Sequence, residues 1–130
     1  MKILDLSLTY HWYDMIASGK KKEEYRTIKT FYAKRLIELD KSKGCSRNCS
    51  DYWCVNYYQV FKHCTDCHYM SWKRYDAVRF HRGQGGKTKM LVECNGIHIG
   101  HGKPEWGAVP GETYFVIELG KIIEENGSKN

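Results

Sequence analysis

From residue 2 to residue 8 the apolar side chains Ile3, Leu4, Leu6 and Leu8 largely alternate with polar ones. A period of two is the signature of a strand with one buried face. The period then lengthens. Trp12, Met15 and Ile16 fall on one side of a short helix, with Thr9 placed as its N-cap and Gly19 where a C-terminal stop belongs. A charged strand over 21–28 and a second helix over 31–39 follow, the helix carrying a stripe of Tyr32, Ala33, Leu36 and Ile37. From about 40 to 73 no period survives, and this stretch reads as an insertion holding five of the six cysteines. Strand signals resume over 75–81, 90–99 and 114–119, and Asn95-Gly96 predicts a tight hairpin turn or a bulge. Residues 82–87 and 100–111 read as glycine-rich loops and 124–130 as a frayed tail. There are no internal repeats. The order β-α-β-α followed by about three strands predicts one mixed α+β domain over 1–130 whose sheet curls into a barrel.

Composition narrows the picture modestly. A chain of 130 residues with 42% hydrophobic content has room for a single core. The formal charge of +6 is unevenly spread: seven Lys or Arg lie between Lys62 and Lys89 against Asp66 and Asp76 alone. Such a stretch suits a phosphate-bearing partner, or else a solvated basic face. The opening residues meet charge too early for a signal peptide, and no run approaches the ~20 apolar residues of a membrane helix. The expectation is a cytoplasmic protein with no membrane partner, its cysteines thiols or metal ligands before disulfides.

The most informative stretch is Gly19-Lys20-Lys21-Lys22-Glu23-Glu24-Tyr25-Arg26, between the first helix and the charged strand. On a strand, Glu24 and Arg26 project from one face, offering a carboxylate acceptor and a planar five-donor fork. Strict alternation sets Lys21 on the other face unless the chain turns near Gly19. A same-face Glu–Arg pair is equally the pattern of a surface salt bridge worth ~0–1 kcal/mol. Through Gly19, Lys21, Glu24 and Arg26 the stretch resembles the G-x-K-x-x-E-x-R motif of the ASCH family, and roughly three quarters of the chain follows that family's layout. The resemblance implies a PUA-like curled β-barrel with two short helices near the N-terminus, here carrying a Cys-rich insertion. It also implies a basic cleft for RNA, a modified nucleoside or a nucleotide, centred on Lys21, Glu24 and Arg26.

Some small bacterial members of that family hydrolyse the amide of N4-acetylcytidine with the motif lysine, a threonine at the position of Glu24, and a glutamate from a later loop. The resemblance thus makes Lys21 and Glu24 catalytic candidates for an amidohydrolase or a ribonuclease. Here the threonine is replaced by Glu24, and the third residue is either Glu93 or Glu105. An amine attacks only when neutral, and an adjacent carboxylate favours its charged form.

Other ligand-binding candidates come from the residues themselves. Trp106, in a loop with glycine, proline and charge, is placed either to stack on a base, at ~1–3 kcal/mol, or to fold back over the barrel. Trp12 fits the helix's apolar face and reads as core, while Tyr25 alternates away from Glu24 and Arg26. Arg79 and His81 share a strand face, and the loop 82–87 has the glycines for close approach to phosphate without being a Walker A sequence.

Cys45, Cys49, Cys54, Cys64 and Cys67 lie within 24 residues, with His68 beside the last. Cys64-x2-Cys67 has the spacing of half a tetrahedral zinc site, at ~2.3 Å per thiolate, and any two of the other three would complete it. A structural zinc would then order a segment poor in apolar residues, making it a zinc-stabilised interaction module for a protein partner through Tyr52, Trp53, Tyr57, Tyr58 and Phe61. The alternative is a set of free thiols. Cys94, on a strand, reads as a small buried hydrophobe.

Overall fold

The structure is a computed structural model and describes residues 1–39 and 70–126. It divides into two compact units, one formed by residues 1–25 with 74–130 and the other by 26–73. The chain is a mixed α+β protein with a strongly curled half-barrel sheet and, among the described residues, two α-helices.

The larger unit is organised by its sheet. Strands β1 (Ile3–Leu8), β2 (Glu23–Thr27), β5 (Ala77–Arg82), β6 (Lys89–Gly100) and β7 (Tyr114–Asn126) lie in the order β1-β5-β6-β7-β2. β1 and β5 run parallel, with Leu4 opposite Val78 and Leu6 opposite Phe80; β5–β6 and β6–β7 are antiparallel. The alternation read in β1 is realised: Leu4, Leu6 and Leu8 are buried while Asp5 and Ser7 face out. Helix α1 (Tyr10–Ala17) covers the apolar face with Tyr13 and Ile16, beside Val78, Phe80, Met90, Val92, Phe115 and Ile117 of the core. Thr9 takes the extended N-cap conformation, although its hydroxyl makes no capping hydrogen bond.

Of the two readings of Asn95-Gly96, the bulge holds and the hairpin does not: β6 runs through it, and the register against β7 shifts between Leu91 and Gly96. Extra residues on one strand of a pair bend it and increase its twist, so the bulged pair supplies curl to the sheet. The frayed tail is also displaced. β7 continues to Asn126, with Lys89 opposite Asn126 and Met90 opposite Glu125. Residues 127–130 lie outside the described residues.

In the smaller unit, α2 (Thr30–Leu36) is followed at once by β3 (Ile37–Leu39), which pairs antiparallel with β4 (Met70–Trp72). The helix expected to run to 39 therefore stops at Leu36. Ile37 is extended, with φ −114° and ψ 136°, and lies opposite Trp72. Ala33, Leu36 and Ile37 are buried, and Lys73 donates its N–H to the Leu36 carbonyl at 2.9 Å. Residues 40–69 of the expected insertion, with Cys45, Cys49, Cys54, Cys64 and Cys67 and the aromatics from Tyr52 to Phe61, lie outside the described residues.

Candidate functional site

The end of α1 creates the geometry of the motif. Gly19 has φ +82°, the left-handed conformation that closes helices, and the N–H groups of Lys20 and Lys21 both reach back to the Met15 carbonyl at 3.0 and 3.1 Å. The chain turns here, and β2 begins only at Glu23, two residues after the lysine. Strand alternation therefore does not govern Lys21. Its side chain swings to Glu24, with Nζ donating to Oε1 at 2.8 Å and also to the Glu23 carbonyl oxygen.

This ion pair is almost sealed from water: the side chains of Lys21 and Glu24 are 1% and 7% exposed. They are the buried charged residues among those described. The bland surface salt bridge foreseen for this stretch is thus not what Glu24 makes. Burying two charges is costly unless both are paired and hydrogen-bonded, and here the surroundings reinforce the pair. The ammonium lies 5.0 Å from the Tyr25 ring centre and 5.7 Å from that of Trp12, both within the ~6 Å reach of a cation–π contact. An ammonium has three donors. Two are taken by Glu24 and the Glu23 carbonyl.

The two rings are themselves held. The Tyr25 hydroxyl donates to Glu23 Oε1 at 2.7 Å and accepts from the Lys103 N–H at 2.9 Å, and its ring packs on Tyr114 within a cluster that includes Ala108 and Val116. Gly102 fits against that ring because it has no side chain: a Cβ there would stand 2.6 Å from Tyr25 Cζ. Burial pushes the Tyr25 phenol far above the ordinary tyrosine range; the Lys103 N–H opposes this and Glu23 adds to it. Further along the same segment, Gly107 lies against the six-membered ring of Trp12. Trp12 is only half-buried, so the reading of it as plain core is incomplete. Helical periodicity places it on an inward face but cannot say that a lysine from beyond the helix would share that face.

Beside Lys21 is a cavity of about 200 Å³ whose lining includes Lys22, Lys121, Ile16, Val92 and Leu119. It is smaller than the ~300–1,000 Å³ typical of drug-sized sites. Its lining pairs cationic side chains with apolar ones.

The remaining candidates lie elsewhere. Arg26 belongs to the smaller unit, where its Nη1 donates to the Tyr32 hydroxyl at 3.2 Å and its guanidinium stands 5.5 Å from that ring's centre. Arg79 and His81 do share a strand face, but both engage Asp5 across the β1–β5 pair, at 3.4 and 2.9 Å. Burial raises the Asp5 carboxyl, yet the His81 hydrogen bond and the Arg79 charge outweigh it and hold the group below its ordinary value. Trp106 is half-buried in the short 3₁₀ turn Pro104–Trp106, with the Lys103 ammonium 4.5 Å from its ring centre. Glu93 Oε1 accepts the Lys121 N–H at 2.8 Å, and Glu105 is exposed, so neither is found hydrogen-bonded to Lys21. Among the described residues no group of three His, Cys, Asp or Glu side chains is arranged to hold a metal, and no helix is long and apolar enough to cross a membrane. Comparison with known proteins finds no matching family model, no matching curated protein and no matching solved structure.

Proposed function

We propose that the chain binds RNA or a nucleotide in the manner its ASCH-like motif implies, with a nucleoside-sized group seated beside Lys21 and Glu24. The observation that carries this reading is the burial of the pair: the motif's lysine and glutamate are withdrawn from water next to a cavity with further lysines on its wall. A surface kept basic for solubility needs no sealed ammonium. Lys21 provides a polar contact on the cavity wall, and Ile16, Val92 and Leu119 provide apolar surface for a base. Lys22 and Lys121 supply charge for phosphate.

The amidohydrolase alternative needs Lys21 as a free amine, whereas here it is held against a carboxylate. We therefore favour binding over turnover. The zinc-stabilised module rests on cysteines outside the described residues.

The test is affinity for a short single-stranded RNA against salt concentration. Binding whose logarithm falls with log salt at about −0.7 per phosphate contact is expected, together with weakening in Lys22→Ala/Lys121→Ala. Salt-independent binding, or wild-type affinity in that double variant at ~0.15 M salt, would contradict the proposal.

A further inference from the structure

A second feature of the larger unit is not used by the motif. Tyr10, the first residue of α1, is 61% exposed. An aromatic ring left so open is nevertheless fixed in place. The Arg82 guanidinium lies 4.2 Å from its ring centre, the closest of the cation–ring distances in the described residues. That guanidinium is itself clamped: Nε and Nη2 each donate to a different carboxylate oxygen of Asp14, both at 3.0 Å. Asp14 stands one helical turn after Tyr10, so helix, guanidinium and ring form one closed arrangement.

The loop beside it passes close to one edge of the ring. Gly83 has φ +77°, and a Cβ there would stand 2.9 Å from Tyr10 Cε1; a Cβ on Gly86 would meet the Arg82 carbonyl oxygen at 2.0 Å. Side chains are excluded where they would crowd the ring or the turn that positions Arg82. Lys87 closes the same loop, exposed and with no ion pair among the described residues. Asp14 balances Arg82, which makes Arg82 a positioning residue and Lys87 the cation available to a phosphate.

We infer that Tyr10 is a stacking platform for an unpaired base of single-stranded RNA, with Lys87 reaching the adjoining phosphate. A flat face, immobilised in advance and flanked by positive charge, is what sequence-tolerant single-strand binding uses, and pre-organisation spares the entropy of ordering the ring. The inference rests on the RNA-binding reading but places this contact apart from Lys21 and Glu24.

The experiment is binding of the full chain to a uridine-rich hexanucleotide RNA carrying one 2-aminopurine, followed by fluorescence quenching as the base stacks. Tyr10→Ala should weaken binding roughly 5- to 100-fold, the loss of one stacked base, and abolish most of the quenching. Tyr10→Phe should bind within about twofold of wild type, because the stacking face is retained. Wild-type affinity in Tyr10→Ala, or equal competition by the same sequence as a duplex, would overturn the platform. Lys22→Ala/Lys121→Ala is measured in parallel. If it weakens binding while Tyr10→Ala does not, the cavity site stands and the platform falls; the reverse pattern keeps the platform and removes the cavity site. If the wild type binds no single-stranded RNA, both are refuted.

Discussion

Replacing Lys21 by methionine isolates the energetics of the buried pair. The substitution keeps an unbranched side chain and removes the charge, taking from the buried Glu24 carboxylate its 2.8 Å contact to Nζ. Losing the contacts to the Trp12 and Tyr25 rings contributes about 0.5–1 kcal/mol each. Removing one member of a buried ion pair is the larger effect, at about 3–5 kcal/mol. Set against a total stability of about 5–15 kcal/mol, this predicts a thermal midpoint lower by roughly 10–20 °C. The design includes its own control. Adding Glu24→Leu to Lys21→Met removes both members of the pair, so the double variant should cost less than the sum of the two single changes, with a coupling of about 2 kcal/mol or more. Urea unfolding of the wild type, both single variants and the double variant gives the full cycle. A cost below about 1 kcal/mol for Lys21→Met, or a coupling near zero, would refute the reasoning, because an exposed pair behaves that way.

Three further outcomes follow from the same geometry. Gly102→Ala puts a methyl 2.6 Å from Tyr25 and 2.7 Å from the Ala108 Cβ; its cost of about 1–3 kcal/mol in urea melts should shrink in a Tyr25→Ala background, and equal cost in both backgrounds would disprove the contact. Burial holds the Tyr13 phenol at about 12 against an ordinary 10.0. With the folded value above the unfolded one, the associated stability is complete below pH 10 and declines as the pH rises toward 12, so tyrosinate absorbance should show a late-ionising fraction; every tyrosine titrating near 10 in the folded protein would contradict this. Burial likewise raises the Cys94 thiol above 9.0, so iodoacetamide at neutral pH should label it far more slowly in the folded than in the urea-unfolded protein, read by peptide mass mapping.

What the sequence made legible is the local pattern, and what it hid depends on distant partners. The alternation of Leu4, Leu6 and Leu8 reports β1 correctly because one face is buried and the other wet. Gly19 marks the end of α1 because a left-handed residue is needed there. β7 outruns its apolar signal: Ile122 and Ile123 are both exposed, so no alternation marks the strand, and pairing with β6 alone defines it. The second helix stops early for the same kind of reason, since Ile37 is taken up by Trp72, 35 positions away. In the candidate site, the turn at Gly19 brings Lys21 to Glu24, which alternation alone forbade. Trp12 and Tyr25 were read as core and as pointing away because neither period reveals a cation placed between a helix and the strand after it. The Tyr10–Arg82–Asp14 arrangement joins residues 68 positions apart and has no local signature.

The most direct test of the central claim is an NMR titration of the isotopically labelled protein with a panel of nucleosides and nucleotides, N4-acetylcytidine included, with product analysis of each sample. Saturable shifts centred on Lys21, Lys22, Glu24 and Lys121 are expected, greater for nucleotides than for nucleosides, with every ligand recovered unchanged. Release of acetate from N4-acetylcytidine would contradict binding without turnover, and a panel that leaves those four residues unmoved would contradict the site itself.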